Sequence, residues 1–312
     1  MPARTTVALL LSATVACTIA GCGGSGGAGG ASSGATSPVA LLKETFDAPK
    51  PIESGRVSVD LDLAETKSST TQHTDLKLSG PFEEAGNGKL PRFALDVDLE
   101  SEGHTLSAGA VSTSGKLYVE LEGSAFVAPR STTAALQESF AKASKGSGGA
   151  ASSFSALGID PGRWLTHPVT KGEPSIGGVK TTEVQGGLNL PALLQDTDRL
   201  TGAAGKTGLG GLAGTLSPKL IAELAKAVTS AKVDVYTGVS DHLLRRLALT
   251  AAIAPRGAAR AALGGLSSAE LDLQVNLSEI GKPQKIEAPL NAKPLSQLFK
   301  VLEGVGLVSQ AS

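Results

Sequence analysis

Six carboxylates stand in pairs two residues apart, a spacing that could supply the acid and the base of a hydrolase. The pairs are Asp60 and Asp62, Asp96 and Asp98, and Glu120 and Glu122. A catalytic pair needs two carboxyl groups in unequal environments that separate their pKa values. Here each pair occupies the polar positions of a segment in which apolar and polar residues alternate. We therefore interpret all six as the solvated face of a β-sheet.

The histidines and the glycine-rich segments provide no convincing metal or phosphate site. None of the histidines has a histidine, cysteine or carboxylate three or four residues further along, the spacing of a helical metal site; they are His73, His104, His167 and His242. Gly205-Lys206-Thr207 fails as a phosphate loop because Leu200 stands where the leading glycine belongs. We predict no catalytic residue, no metal and no cofactor. A hydrolase would need His167 or His242 beside a serine and a carboxylate in a cleft.

Positive charge is sparse and is balanced by negative charge. The chain has 28 Lys and Arg against 29 Asp and Glu, which excludes the basic footprint of a nucleic-acid binder. His242, Arg245 and Arg246 cluster at the start of a predicted strand. A lipid headgroup or another anion could dock there, but a turn with exposed basic side chains is the favoured interpretation.

Cysteine chemistry is confined to the N-terminus. Arg4 precedes an apolar run from Val7 to Ile19, which is too short to span a bilayer. The run ends in Ile19-Ala20-Gly21-Cys22, which looks like a bacterial lipobox, where signal peptidase cuts before a cysteine that carries diacylglycerol. We predict residues 1–21 as a lipoprotein signal peptide and Cys22 as the lipidation site. The alternative is an ordinary signal peptide whose cleavage site happens to contain a cysteine.

The segment after the signal peptide has the composition of a tether. Residues 23–37 consist only of Gly, Ser, Ala and Thr, a composition that cannot bury apolar surface and predicts disorder. We expect residues 22–37 to hold a folded domain to the outer face of the cell membrane. No later segment reaches the 18 apolar residues expected of a transmembrane helix.

Residues 38–312 are predicted to form one α+β domain. Apolar residues alternate with polar ones around Val57–Leu63, Phe93–Leu99, Leu117–Leu121, Leu247–Ile253 and Leu271–Leu277, as in antiparallel strands with one buried face. Helical spacing follows Pro38, Thr132, Asn189, Ser217 and Pro294. We predict a large curved antiparallel sheet of about nine to eleven strands, with helices covering its concave apolar face. The alternation points these side chains toward that face: Val59, Leu61, Leu95, Val97, Val119, Leu249, Leu273 and Val275.

The core is unusual because it has few large side chains. The chain has only 7 Phe, 2 Tyr and 1 Trp beside 39 Gly. A sheet face of Val and Leu, covered by Ala-rich helices, is compatible either with a tightly packed aliphatic core or with an apolar cavity that holds a ligand. Composition alone does not separate these two alternatives.

The order of short motifs resembles the LppX/LprAFG family of actinobacterial lipoproteins. The motifs that follow the lipobox and the tether are Gly55–Val59, Gly115–Val119, Gly178–Gly186, Val233–Tyr236, His242–Leu249 and Ile286–Pro289. The chain departs from the family in its long Gly/Ala segments at 145–153, 202–215 and 256–265. The resemblance implies a half-barrel whose helix-covered concave side binds acylated lipid or glycolipid. It also implies transport of that lipid within the cell envelope, with an envelope lipid exporter as a partner.

We therefore expect a membrane-anchored lipid carrier that is not an enzyme. The competing interpretation is a structural or interaction lipoprotein with a filled core, which would present its half-barrel to a protein partner. The volume inside the apolar face is the feature that distinguishes the two.

Overall fold

The computed structural model describes residues 37–46, 52–86, 89–146, 161–193, 195–196 and 225–298. Three α-helices with defined bounds lie in this part of the chain: α1 (Pro38–Phe46), α2 (Arg130–Gly146) and α3 (Gly257–Ala262). A 3₁₀ turn spans Pro161–Trp164, and residues 190–193 are also helical. Four predicted features lie outside the described residues and stay predictions. They are Cys22, the tether, the loop at 202–215 and the start of the helix at Ser217.

Thirteen strands account for most of the described chain. They are β1 (Ser54–Lys67), β2 (Thr70–Glu83), β3 (Arg92–Ser101), β4 (His104–Thr113), β5 (Lys116–Leu121), β6 (Ser124–Val127), β7 (Leu165–Gly172), β8 (Ser175–Ile176), β9 (Val179–Leu188), β10 (Val228–Gly238), β11 (Leu244–Ile253), β12 (Leu266–Ser278) and β13 (Lys293–Pro294). Two of them, β8 and β13, have only two residues each. The other eleven agree with the predicted number.

The strands form one open sheet in the order β13-β6-β5-β4-β3-β2-β1-β12-β11-β10-β9-β7, and β8 pairs with β9. Neighbouring strands are antiparallel except β13 and β6, which are parallel. The predicted α+β fold built on a large antiparallel sheet is therefore confirmed, and the sheet is open and accompanied by few helices. The pairing of β1 with β12 joins the N-terminal run of strands to the C-terminal run.

Helix α1 forms because its N-terminus is capped and one of its faces is apolar. The Ser37 hydroxyl accepts a hydrogen bond from the Ala40 N–H at 3.2 Å, and Pro38 occupies the first helical position, where no N–H is needed. Leu41, Leu42 and Phe46 are buried in a cluster with residues of β7 and β9–β11. The helix therefore covers the apolar face at the β7 end of the sheet.

At one position inside the sheet, two neighbouring strands come so close together that only a glycine fits. A Cβ atom added to Gly80 of β2 would lie 1.9 Å from the Ala94 carbonyl oxygen on the neighbouring β3. No side chain fits in that space, so the glycine permits the strands to come together at this point.

Several elements differ from the predictions, apart from the two-residue strands β8 and β13. Strand β7 was not predicted, because Pro168 and register shifts between Thr166 and Val169 interrupt its alternation. The segment 255–267, predicted as a loop, contains α3, a short Ala-rich helix with no apolar stripe to indicate it. Ile286, predicted in a short extended piece, lies outside the sheet but is buried beside Val111 and Tyr118.

Candidate functional site

A continuous apolar face crosses nine strands of the sheet. Directly paired residues of antiparallel strands point to the same face. One row of such partners runs from β5 to β9 as Leu121, Ala108, Val97, Leu78, Val59, Val275, Leu247, Val235 and Val184. The adjacent row runs from β4 to β10 as Leu106, Leu99, Leu76, Leu61, Leu273, Leu249 and Val233.

The eight side chains predicted to point inward share this face. Val59, Leu61, Leu95, Val97, Leu249, Leu273 and Val275 all belong to two apolar clusters. Val119 lies outside both clusters but pairs with Ala110, the partner of Leu95 on the same face. Whether any of these side chains contacts a ligand is still a prediction.

The two clusters meet, but among the described residues only the first includes side chains from a helix. The first, under α1, contains fully buried Val184 and Val235 and includes Trp164 and Leu193 at its edge. The second lies on β1–β4 and retains a margin of half-buried side chains, among them Leu95 and Val97. Leu273 and Leu277 pack against both clusters and connect them.

The apolar face changes character along β1–β4. At one end Phe82 and Phe93 are cross-strand partners, and Gly55 admits the Phe82 ring, which lies 3.2 Å from the place where a Cβ would be. At the other end Thr74 pairs with Ser101, and their hydroxyl groups are 3.0 Å apart. On β2 and β3 the face thus carries aromatic rings at one end and hydroxyl groups at the other.

The opposite face carries the carboxylates, as the alternation predicted. Asp62 of β1 lies between Asp75 of β2 and Asp272 of β12 in the pairing register. A hydrogen bond with Asp75 raises the pKa of Asp62 above its usual value of 3.8, and burial together with the negative charges of Asp75 and Asp272 acts in the same direction. Asp62 is exposed on this face, which is consistent with the solvated acidic surface that the alternation predicted.

A pocket of about 400 Å³ is associated with this polar face. Its lining includes Asp62, His73, Asp75, Glu270 and Asp272. Four carboxylates line the pocket beside two leucines and three alanines, so it differs in chemistry from the wholly apolar cavity predicted for a lipid. Within the described part of the chain, no group of three or more His, Cys, Asp or Glu side chains could hold a metal ion.

Polar groups on β9–β12 of the same face bind one another. Asp234 is buried and accepts a hydrogen bond from Gln185 at 2.8 Å while pairing with Lys232 at 2.9 Å. The bond to Asp234 raises the pKa of Lys232, and burial raises the pKa of Tyr236. These contacts account for the buried charge of Asp234 as part of the sheet structure.

The basic cluster at β11 is not a set of exposed side chains, so that expectation is wrong. Arg245 is only 7% exposed and pairs with Asp241, because the turn folds the guanidinium back over its own strand. Arg246 donates to Asn276 at 2.7 Å and lies over the Tyr236 ring, and His242 pairs with Glu44 of α1 at 2.8 Å. Asp241, four residues before Arg245, is the sequence signal that could have indicated this pairing.

The arrangement required of a hydrolase is not present among the described residues. His242 has a carboxylate partner in Glu44, but no serine hydroxyl hydrogen-bonds to His167 or His242 in this part of the chain. No described helix is long and apolar enough to cross a membrane.

Comparisons with known proteins find solved structures of similar fold at low sequence identity. No protein-family model and no curated protein matches the chain. LprF from Mycobacterium bovis is 11% identical over 81% of this chain and 96% of LprF, with a TM-score of 0.38. The lipoprotein LppX from Mycobacterium tuberculosis is 14% identical over 80% of this chain and 98% of LppX, with a TM-score of 0.35.

A third solved structure, a DUF1329 family protein from Desulfovibrio piger, is 10% identical over 79% of this chain and 93% of its own, with a TM-score of 0.24. LprF and LppX bear the names of the LppX/LprAFG group that the sequence resembles, and their likeness to this chain is one of fold.

Proposed function

We propose that this protein is a lipid-anchored carrier that binds acylated lipid or glycolipid against its apolar sheet face and moves it within the cell envelope. Cys22 holds it to the outer face of the cell membrane, and an envelope lipid exporter hands over the lipid. The carrier performs no catalytic step. The observation that carries the proposal is the continuous apolar face over nine strands.

The chemistry of that face supports an acyl ligand. The paired rows consist almost entirely of Leu and Val, and Ala108 and Ala110 contribute small side chains between larger ones. Each methylene group transferred from water to such a surface gains about 0.8 kcal/mol. A lipid with two long chains therefore gains enough to offset the entropy of binding, and specificity comes from the volume and shape of the site.

The half-buried margin indicates where the lipid lies. Residues of α1 form part of the first cluster, whereas the described residues of the second cluster include none from a helix, and Leu61, Leu95 and Val97 there are half-buried. We place the acyl chains over β1–β5, beside the cluster that α1 covers.

Native mass spectrometry of the full-length protein, purified from a lipoprotein-processing host, tests the proposal. We expect the protein to carry one or more acylated lipids that organic extraction removes and identifies. A protein that carries no lipid and takes up none from mixed vesicles would contradict the proposal and favour a filled core that binds a protein partner.

A matched pair of variants locates the lipid. Ala108→Phe adds a ring to the apolar face between Val97 and Leu121 and should reduce the bound lipid severalfold. Ala248→Phe adds the same ring to the polar face, between Asp234 and Gln274, and should leave lipid binding unchanged. An equal loss of bound lipid in both variants, or no loss in either, would contradict the placement of the lipid on this face. Thermal unfolding of both variants checks that each remains folded.

A further inference from the structure

Polarity increases in steps along one end of the apolar face. The leucine row at Leu61, Leu76 and Leu99 is followed by a row in which Thr74 and Ser101 are cross-strand partners. The next row pairs Gln72 with Glu65. Along β2 and β3 this face therefore passes from leucine side chains through the two hydroxyl groups to the amide of Gln72, while the β1 partner of Thr74 is still the apolar Leu63.

The hydroxyl pair has hydrogen-bonding capacity left over. Thr74 Oγ1 and Ser101 Oγ are 3.0 Å apart, and no other side-chain hydrogen bond involves either hydroxyl within the described part of the chain. Two hydroxyl groups carry two donor hydrogens, and a single mutual bond uses only one of them. Thr74 is 6% exposed and Ser101 is half-buried, so the second hydrogen is available on the Ser101 side.

The strip of face beyond the pair is longer than the acyl chains of one membrane leaflet. Eight residues separate Thr74 from Phe82 along β2, a distance of roughly 26 Å at about 3.3 Å per residue. The acyl chains of one leaflet span about 15 Å, half of a bilayer core. The chains therefore fit between the hydroxyl pair and the two phenylalanines.

In an acylated lipid, ester carbonyls lie between the apolar chains and the polar headgroup. The hydroxyl pair lies at the same step of the gradient, between the leucine row and the row of Gln72 and Glu65. We propose that the Thr74–Ser101 pair donates a hydrogen bond to an ester carbonyl of the bound lipid. The acyl chains then extend along β2 and β3 toward Phe82 and Phe93, and the headgroup lies beside Gln72. This assignment rests on the proposed lipid-carrier function.

Ester and ether lipids with equal chains test the assignment directly. The full-length protein, stripped of lipid, is offered an equimolar mixture of dipalmitoylglycerol and dihexadecylglycerol, and native mass spectrometry measures the bound ratio. Only the ester lipid has carbonyl acceptors. We expect a preference for it of roughly threefold to tenfold, the factor for one hydrogen bond. Equal binding of both lipids would overturn the assignment but leave the lipid carrier intact, whereas binding of neither would contradict the carrier function itself.

Two double variants identify the residues responsible. Thr74→Val with Ser101→Ala removes both hydroxyls with little change in volume and should abolish the ester preference while dihexadecylglycerol still binds. Thr66 and Thr71 form a comparable hydroxyl pair, also 3.0 Å apart, between β1 and β2 on the polar face. Changing both to Val should leave the preference at the wild-type value. An ester preference that survives loss of Thr74 and Ser101, or that disappears with Thr66 and Thr71, would overturn the assignment.

Discussion

Leu61 of β1 and Leu273 of β12 are cross-strand partners on the apolar face, although they lie in the first and last parts of the chain. Leu273 packs against the cluster under α1 and also against the cluster on β1–β4. This pairing therefore joins the two halves of the sheet into one apolar surface. A carrier needs such continuity, because two separate patches would not hold one long acyl chain.

Truncating Leu273 should weaken the connection between the two clusters. Leu273→Ala is expected to lower the free energy of unfolding by about 2 kcal/mol, at the low end of the range for buried leucines because the side chain is only half-buried. Chemical denaturation measures the change. Leu290, which is 88% exposed, supplies the control, and Leu290→Ala should change stability by less than about 0.5 kcal/mol. Equal effects at the two positions would show that Leu273 has no such connecting role.

Replacing Gly80 should cost more than replacing a glycine in a turn. Gly80→Ala places a Cβ 1.9 Å from the Ala94 carbonyl oxygen, so β2 and β3 must separate, at an expected cost of about 3 kcal/mol or more. Gly115 has φ +70° and open space around it, so Gly115→Ala should cost only about 1 kcal/mol of backbone strain. Denaturant titration of both variants compares the costs, and the reverse order would contradict the close approach of these strands.

Alternation in the sequence was sufficient to predict most strands, because a strand with one buried face repeats its pattern every two residues. Val57–Leu63 and Leu271–Leu277 were assigned in this way, but their direct pairing joins distant parts of the chain. The periodicity of the sequence does not indicate which strands become neighbours in the sheet. Strand β7 was missed because Pro168 and its bulges remove the two-residue period.

The apolar side of the candidate site was predictable to a similar extent. Alternation placed Val59, Val97 and Val275 on one face, and the register brings them together in a single row. The Thr74–Ser101 pair was not predicted, since each residue alone is an ordinary polar residue in a strand. Its significance depends on cross-strand pairing and on the leucine row beside it.

The carboxylates of the polar face should make stability depend on pH. The pKa of Asp62 is raised from 3.8 chiefly by its hydrogen bond with Asp75, so the folded state takes up this proton more readily than the unfolded state. Stability is therefore gained as the pH falls through the raised pKa toward 3.8, and this gain is lost as the pH rises again. The carboxylate repulsion that remains at neutral pH is a cost of the folded state.

Asp62→Asn should remove that repulsion. We expect the variant to be more stable than the wild type at neutral pH, by on the order of a few tenths of a kcal/mol, the scale of one exposed cross-strand pair. The difference should shrink in acid. Asp60 is the control, because its cross-strand partner on β2 is Lys77, and Asp60→Asn should bring no such gain. Melting temperatures across the acid range measure both effects, and a gain for Asp62→Asn that does not depend on pH would contradict this explanation.

The lipid anchor can be tested through the two cysteines of the chain. Cys22 is the predicted acylated residue and Cys17 lies within the predicted signal peptide. Because two acyl chains give firm membrane attachment, Cys22→Ser in the full-length chain should move the protein from the membrane pellet to the soluble fraction of a lipoprotein-processing host. Cys17→Ser should leave it in the pellet. A Cys22→Ser protein that stays with the membrane would mean that the lipobox interpretation is wrong or that a second anchor exists. Mass spectrometry of wild-type Cys22 decides between the two, because the absence of an acyl mass increment would mean that the lipobox interpretation is wrong.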